Sequence, residues 1–168
     1  MYRFKHIGFS DSFNTYVLIV LVFCLKLQVT IGSTTGEKKI NRGGFSYTLH
    51  TTNNTWDDAE VYCRDVVNGR LAKIANKETA EDIAKMFSPP SIPAWIGANN
   101  IASGQYQWAQ DSRLVDGIFW APGEPDLGDP NSCVCLAQSA LFYDELCTST
   151  RPFICQKIGE DPTTTIGK

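Results

Sequence analysis

The chain has 168 residues, six cysteines and a formal net charge of −3, and 43% of its residues are apolar. This length supports one domain with a real hydrophobic core. The mild acidity argues against nucleic acid as a partner, because phosphate binding needs a clustered basic face. With only two histidines in the chain, we expect neither histidine-based catalysis nor a histidine-rich metal site.

Residues 1–32 have the pattern of a secretory signal peptide. A basic start (Arg3, Lys5) precedes an apolar run over residues 16–25, and the small residue Gly32 follows. The run is shorter than the roughly 20 residues of a membrane span, although a signal anchor remains the alternative. We therefore predict a secreted, extracellular protein whose mature chain has no membrane span.

Removing this leader changes the charge and the cysteine count. Three basic residues and one acidic residue leave, so the net charge falls from −3 to −5. Cys24 also leaves, and five cysteines remain. Because a secreted chain oxidises its cysteines, an odd number leaves one without an internal partner.

The mature chain begins with a polar segment over residues 33–43, which we predict to be a loose leader, and a first strand over 44–50. Thr55 is a predicted helix N-cap, with Asp58 at the third helical position. Apolar residues then recur at helical spacing until Asn68-Gly69, where both residues tolerate a positive φ and end the helix.

A second helix is predicted after its cap, Asn76, and it stops at Pro89-Pro90. A loop-rich segment reaches Asn131, and a segment of that length in a compact domain is usually functional. Together the elements predict an α+β domain with a short polar tail over residues 158–168. Further strands are predicted at residues 71–74, 133–136 and 153–156.

Three carboxylates stand close together in the loop-rich segment, at Glu124, Asp126 and Asp129, and Asp144 follows beyond Cys133. A solvated acidic loop is the commoner meaning of such a cluster. The alternative is a calcium site, because converging carboxylates repel each other unless a cation joins them. Ca²⁺ takes about six to eight oxygen ligands, which such a loop can supply.

Several motifs in chain order resemble the C-type lectin-like domain over about residues 44–157. They are Thr55-Trp56-x-x-Ala59-x-x-x-Cys63, Gly69-Arg70-Leu71-Ala72, Trp95-Ile96-Gly97, Trp120-x-x-Gly123-Glu124-Pro125-Asp126, Cys133-Val134-x-Leu136, Asp144-x-x-Cys147 and Pro152-Phe153-Ile154-Cys155. The short form of the family, with a single carbohydrate-recognition domain, fits best. The resemblance implies two helices, small antiparallel sheets, a long calcium- and sugar-binding loop region, and the disulfides Cys63–Cys155 and Cys133–Cys147.

The resemblance also implies a site. Its calcium ligands would be Glu124, Asp126, Asn131 and Asp144, and the same residues with Tyr143 would contact a carbohydrate. The family uses Glu-Pro-Asn for mannose-type and Gln-Pro-Asp for galactose-type sugars, and this chain mixes the two, so its sugar stays unresolved. Two carboxylates cannot donate hydrogen bonds. Tyr143 stands where the family has an asparagine ligand, which puts that ligand in doubt.

Three smaller features complete the sequence-based predictions. The sequon Asn53-Asn54-Thr55 predicts glycosylation of Asn53. Cys135 is the leftover cysteine, and we favour a buried apolar side chain over an intermolecular disulfide that would make a dimer. The auxiliary calcium site of the family is expected to be absent, because Asn100 and Ser103 hold its acidic positions.

The sequence therefore predicts a secreted, calcium-dependent lectin that recognises microbial or host glycans, a role typical of innate immunity. It does not predict an enzyme, because His50 is the only histidine after the leader and no nucleophile is visibly paired with it. The alternative is the same fold with a decayed sugar site that binds a protein partner without calcium. The replacement at Tyr143 motivates that alternative.

Overall fold

A computed structural model describes residues 38–89 and 91–159. The predicted signal peptide, residues 33–37 of the predicted leader and residues 160–168 of the predicted tail lie outside the described residues. Within the described ranges, no helix combines the length and the apolar character that crossing a membrane requires.

The described chain folds into two α-helices and one connected eight-stranded sheet. Helix α1 spans Trp56–Asp65 and helix α2 spans Lys77–Ala84, and a 3₁₀ turn covers Gly117–Phe119. The strands are β1 (Lys38–Arg42), β2 (Phe45–Asn54), β3 (Arg70–Leu71), β4 (Ala94–Asn99), β5 (Gln107–Trp108), β6 (Ser132–Leu136), β7 (Phe142–Leu146) and β8 (Arg151–Ile158).

Both helices begin at the predicted caps. The Thr55 hydroxyl accepts a hydrogen bond from the backbone N–H of Asp58 at 3.3 Å, and the Asn76 side chain accepts one from Thr79 at 2.8 Å. Each cap satisfies an N–H group that has no partner inside its helix. The turn after α1 contains Asn68 with a φ of 56°, as the predicted helix stop requires.

The main strand order is β1-β2-β8-β4-β6-β7, with β3 added to β8 and β5 added to β4. Trp95 of β4 pairs with Phe153 of β8 in parallel, and the other strand pairs are antiparallel. The predicted α+β class with small antiparallel sheets is confirmed, with the small sheets joined into one through this parallel contact.

The prediction of a loose leader over residues 33–43 is wrong for its second half. Residues 38–42 form β1, which pairs with β2 from Lys38 opposite Leu49 to Arg42 opposite Phe45. β1 lies at the edge of the sheet, and its lysines are exposed. Charged residues are usual on edge strands because they discourage pairing with other chains. The same charges are typical of an unstructured polar segment, which is why the sequence predicted a leader here.

Two other strands differ from prediction. The strand predicted over residues 71–74 is reduced to Arg70–Leu71, because the chain then turns toward α2. β7 was not predicted at all, although its pattern alternates between a buried Phe142 and Asp144 and a half-buried Tyr143. That alternation puts Phe142 and Asp144 on one face of the strand and Tyr143 on the other.

Both predicted disulfides are present, Cys63–Cys155 and Cys133–Cys147. They lie in a core cluster with Trp56, Trp95, Leu71 and Phe153, whereas a larger cluster packs α2 against the sheet through residues such as Ile83, Ile96 and Phe142. The first disulfide joins α1 to β8 and the second joins β6 to the segment after β7, so the cross-links fix the sheet on which the loop-rich segment is built.

Cys135 is 1% exposed in the same cluster, which confirms the preferred prediction of a buried side chain. Burial raises the pKa of its thiol to about 12, and the thiol donates a hydrogen bond to the Tyr143 carbonyl at 3.5 Å. A disulfide to a second chain requires an accessible sulfur, so the structure argues against a dimer through Cys135.

Candidate functional site

The predicted carboxylates converge on one point at the end of the loop-rich segment. Glu124, Asp126 and Asp144 each offer an oxygen, and these oxygens lie within 4.8 Å of one another. The three residues, here called the carboxylate cluster, differ in exposure: Asp126 is exposed, Glu124 is half-buried and Asp144 is 7% exposed. The cluster therefore opens to solvent on one side and rests on the protein core on the other.

Local structure positions the loop part of the cluster. Gly123 has a φ of 90°, a conformation that side chains other than that of glycine rarely permit. The Glu124–Pro125 peptide bond is cis. The Glu124 N–H donates to the Ala121 carbonyl at 2.9 Å, and the Ala121 N–H donates to the Phe142 carbonyl at 3.0 Å. This loop is therefore tied directly to β7, the strand that carries Asp144.

Asp144 organises the cluster through its hydrogen bonds. Its carboxylate accepts from the backbone N–H of Asp126 at 3.1 Å and from that of Leu127 at 3.2 Å. Its own N–H donates to the Glu124 carboxylate at 3.4 Å. These contacts connect positions 17 or more residues apart in sequence, so the loop conformation depends on the strand residue.

Tyr106 is a fourth member of this site that the sequence reasoning missed. Its hydroxyl donates a hydrogen bond to the Asp144 carboxylate, and its ring packs edge-on against Trp120 at 4.9 Å between centroids. Burial raises the pKa of Tyr106 well above its ordinary range, and the Asp144 carboxylate raises it further. The one available signal was an aromatic residue in a polar loop, which predicts anchoring of the loop but not its partner.

The electrostatics of the cluster favour a cation. Burial raises the pKa of Glu124 above its ordinary value, and the nearby Asp144 and Asp126 carboxylates raise it further. Negative charges this close destabilise one another, and a divalent cation would remove that repulsion. The donor set consists of carboxylate oxygens, the ligand type that calcium prefers, so the residues present fit a calcium ion.

A second set of contacts holds the loop between the cluster and β6. The Asn100 side chain donates to the Asp129 carbonyl at 2.7 Å and accepts from the Ser132 N–H at 3.0 Å. Asp129 in turn accepts from the Asn131 N–H at 2.8 Å through its carboxylate. Asn100, which is 4% exposed, thus cross-links the loop to β6. Its role in this structure is to hold backbone groups together.

The other two predicted site residues lie outside these cluster contacts. Asn131 is exposed, and its backbone bonds to Asp129 and to Cys147 position it just before β6 without fixing its side-chain amide. Tyr143 packs against the core cluster that contains the disulfides, on the opposite face of β7 from Asp144. The structure therefore brings together three of the four predicted calcium ligands and places Tyr143 elsewhere.

Comparisons with known proteins agree with this architecture. Residues 52–157 match the family model for the lectin C-type domain. A C-type lectin galactose-binding isoform from Pseudechis australis is 30% identical over 124 residues, which cover 68% of this chain and 78% of the relative.

Two solved structures are similar to this chain. The C-type lectin carbohydrate-recognition domain of the mouse scavenger receptor is 25% identical with a TM-score of 0.65, over 73% of this chain and 95% of that one. A calcium-independent type II antifreeze protein is 26% identical with a TM-score of 0.60, over 71% of this chain and 91% of that one.

The family match covers well over half of the chain, and it includes both helices, both disulfides and the whole carboxylate cluster. The family is a class of binding domains and not of enzymes, which agrees with the non-enzymatic prediction. The chain belongs to the C-type lectin domain family.

Proposed function

We propose that this protein is a secreted lectin that binds carbohydrate through a calcium ion held by Glu124, Asp126 and Asp144, with Asn131 as a further ligand. The observation that carries the proposal is the convergence of three carboxylates within 4.8 Å. When bound, calcium would supply a Lewis-acidic centre that takes sugar hydroxyls as additional ligands.

The residues around the ion have separate roles in this proposal. Asp126 is exposed and would accept hydrogen bonds from sugar hydroxyls, as would half-buried Glu124. Asp144 is committed to the loop backbone and would act mainly as a calcium ligand. Since neither Glu124 nor Asp126 can donate, a bound sugar has to donate its hydroxyl protons to them.

Calorimetry and affinity chromatography test this function. We expect calcium to bind the native protein, and galactose or mannose resin to retain it in calcium and release it in EDTA. Glu124→Gln and Asp126→Asn remove one charge each at nearly constant shape and should weaken calcium binding by at least about tenfold. Glu81→Gln, at an exposed position of helix α2, is the matched control and should bind calcium normally.

Two results of this experiment would contradict the proposed calcium-dependent function. If the native protein binds no calcium while it unfolds cooperatively, or if both resins retain it equally in EDTA, the calcium-dependent function is wrong. The galactose-binding relative makes galactose the first sugar to test, and a glycan array with and without calcium would define microbial or host targets.

Secretion and glycosylation belong to the same proposal. Asn53 is exposed near the end of β2, two residues before Thr55 of its sequon, so oligosaccharyltransferase can reach it in a chain that enters the secretory pathway. When the gene is expressed in animal cells, we expect the protein in the culture medium to start near Gly32 or Ser33 and to lose mass on glycosidase treatment. A cell-retained, unglycosylated product would contradict this part of the proposal.

A calcium-independent protein-binding function is the second candidate, and two observations favour it. The Asp144 carboxylate already accepts hydrogen bonds from the Tyr106 hydroxyl and from the Asp126 and Leu127 N–H groups, without a metal. In addition, a similar structure is that of a calcium-independent antifreeze protein. In this case Glu124→Gln would leave partner binding unchanged and EDTA would have no effect. Calcium-dependent retention on sugar resin would exclude it as the sole function.

A further inference from the structure

A second concave surface shares no residue with the carboxylate cluster. It lies between β8, the start of β2 and the turn after α1, and it forms an open cavity of about 360 Å³. Gly69 forms one wall, where an added Cβ would lie 2.3 Å from the Gln156 carbonyl oxygen. Only glycine lets the turn pack so closely against β8, so this wall is a fixed part of the fold.

Positive charge lines this cavity. Arg64, Arg70 and Lys157 are among its lining residues, and the described lining contains no acidic residue. Arg64 pairs with Asp65 and Arg70 with Glu60, both of which lie outside the lining. No ion pair within the described part of the chain engages Lys157. Within the described lining, Lys157 is therefore the uncompensated cation, on a protein whose net charge is −3, whereas both arginines already have a carboxylate partner.

The cavity also contains a buried acceptor without a donor. The Gln110 side chain lines it and donates its amide N–H to the Leu71 carbonyl. That bond fixes which way the amide points, and the opposite atom, Oε1, is buried and finds no donor among the described residues. Buried polar atoms are nearly always hydrogen-bonded in folded proteins. Because Oε1 is sealed from solvent, a ligand in the cavity can donate to it only if the Gln110 side chain shifts.

An apolar pair flanks the charged residues. Phe45 of β2 and Ile158 of β8 stand directly opposite each other, and both line the cavity. Their side chains are 38% and 80% exposed, although cross-strand apolar pairs normally gain stability by excluding water. The same cavity thus offers the unpaired Lys157 cation and an apolar flank, and the unsatisfied Gln110 acceptor is buried beside them.

We propose that this cavity binds an acidic peptide segment of a partner protein. A peptide combines a side-chain carboxylate for Lys157 with an apolar side chain for Phe45 and Ile158. A sulfated glycan carries charge and hydroxyl groups but no apolar side chain. Adsorption to an anionic membrane is opposed by the negative net charge of the chain.

The direct test is fluorescence anisotropy with a labelled, acetylated and amidated hexapeptide of composition Gly-Leu-Glu-Asp-Leu-Gly, in EDTA. We expect saturable binding, and in ¹⁵N-labelled protein we expect amide shifts centred on residues 68–70 and 156–158. Lys157→Glu should weaken binding by at least about tenfold, since it turns an attraction into a repulsion. Ile158→Ser should weaken it several-fold.

The controls separate this proposal from charge effects in general and from the calcium site. Lys39→Glu makes the same charge change at an exposed position of β1 and should bind the peptide like the native protein. The matched hexapeptide with two lysines in place of the acidic residues should not bind.

Three results would overturn the proposal. The first is equal binding by Lys157→Glu, with its native fold verified by circular dichroism. The second is a set of amide shifts centred on residues 124–131. The third is binding of a heparin fragment or phosphatidylserine vesicles, but not of the acidic peptide, in a manner that depends on Lys157. Because all measurements are made in EDTA, their outcome is independent of whether the loop binds calcium.

Discussion

Tyr106→Phe tests the physical link between the hydrogen bonds of the carboxylate cluster and calcium binding. The substitution removes only the hydroxyl that donates to Asp144, while the ring that packs against Trp120 is kept. Asp144 is 7% exposed, so water cannot fully replace the lost donor. The remaining donors to its carboxylate would be the N–H groups of Asp126 and Leu127 at 3.1 and 3.2 Å.

The expected magnitude follows from the charge of the acceptor. A hydrogen bond to a charged group contributes about 1.5–3 kcal/mol, and we expect the free energy of unfolding in EDTA to fall by that amount. A bound calcium ion would neutralise Asp144 directly, so the same substitution should cost less in calcium. If the two losses differ by about 1.4 kcal/mol, the variant binds calcium about tenfold more tightly than the native protein.

Urea unfolding followed by tryptophan fluorescence, in EDTA and in saturating calcium, measures both losses, and calorimetry measures the calcium affinity directly. Tyr143→Phe is the matched control, because it removes a hydroxyl from a side chain that packs on the other face of β7. An equal loss of stability in the two buffers, or a weaker calcium affinity of Tyr106→Phe, would refute the reasoning that its hydroxyl substitutes for the ion.

Three further predictions concern covalent features of the chain. Replacing Cys63 and Cys155 together by serine opens a loop of sequence separation 92, and should cost about 4–5 kcal/mol of unfolding free energy in urea titrations, if the chain-entropy account holds. The Cys135 thiol should resist iodoacetamide in the native protein and react only in denaturant, as mass spectrometry will show. Asn53→Gln should remove one glycan from the secreted protein, whereas an unchanged mass would show that the sequon is unused.

The helices were predictable because their signals are local. Thr55 and Asn76 are cap residues, and the side chain of each accepts a hydrogen bond from the backbone N–H three residues later. This pattern needs no tertiary contact. β1 was not predictable in the same way, since its charged sequence becomes a strand only when β2 is present beside it. Propensity in strands depends on such neighbours.

The candidate site also contains residues that local sequence patterns predict and residues that only tertiary contacts bring in. Glu124 and Asp126 are neighbours in one motif, so their convergence with Asp144 could be expected from a family resemblance. Tyr106 and Asn100 contribute through contacts to Asp144, Asp129 and Ser132 that span 29 residues or more. No spacing rule in the sequence connects those positions, and only the folded sheet brings them together.

The strand order also explains how one small domain could carry two binding surfaces that respond differently to calcium. The proposed peptide cavity is built on β8 and the carboxylate cluster on β7, and the order β8-β4-β6-β7 leaves three strand spacings between them, or about 14 Å. At that distance, exposed charges are largely screened at physiological ionic strength. Calcium binding at the loop should therefore change the affinity of the cavity little unless the sheet itself moves, and the two disulfides that fasten β6 and β8 to their neighbours oppose such a movement.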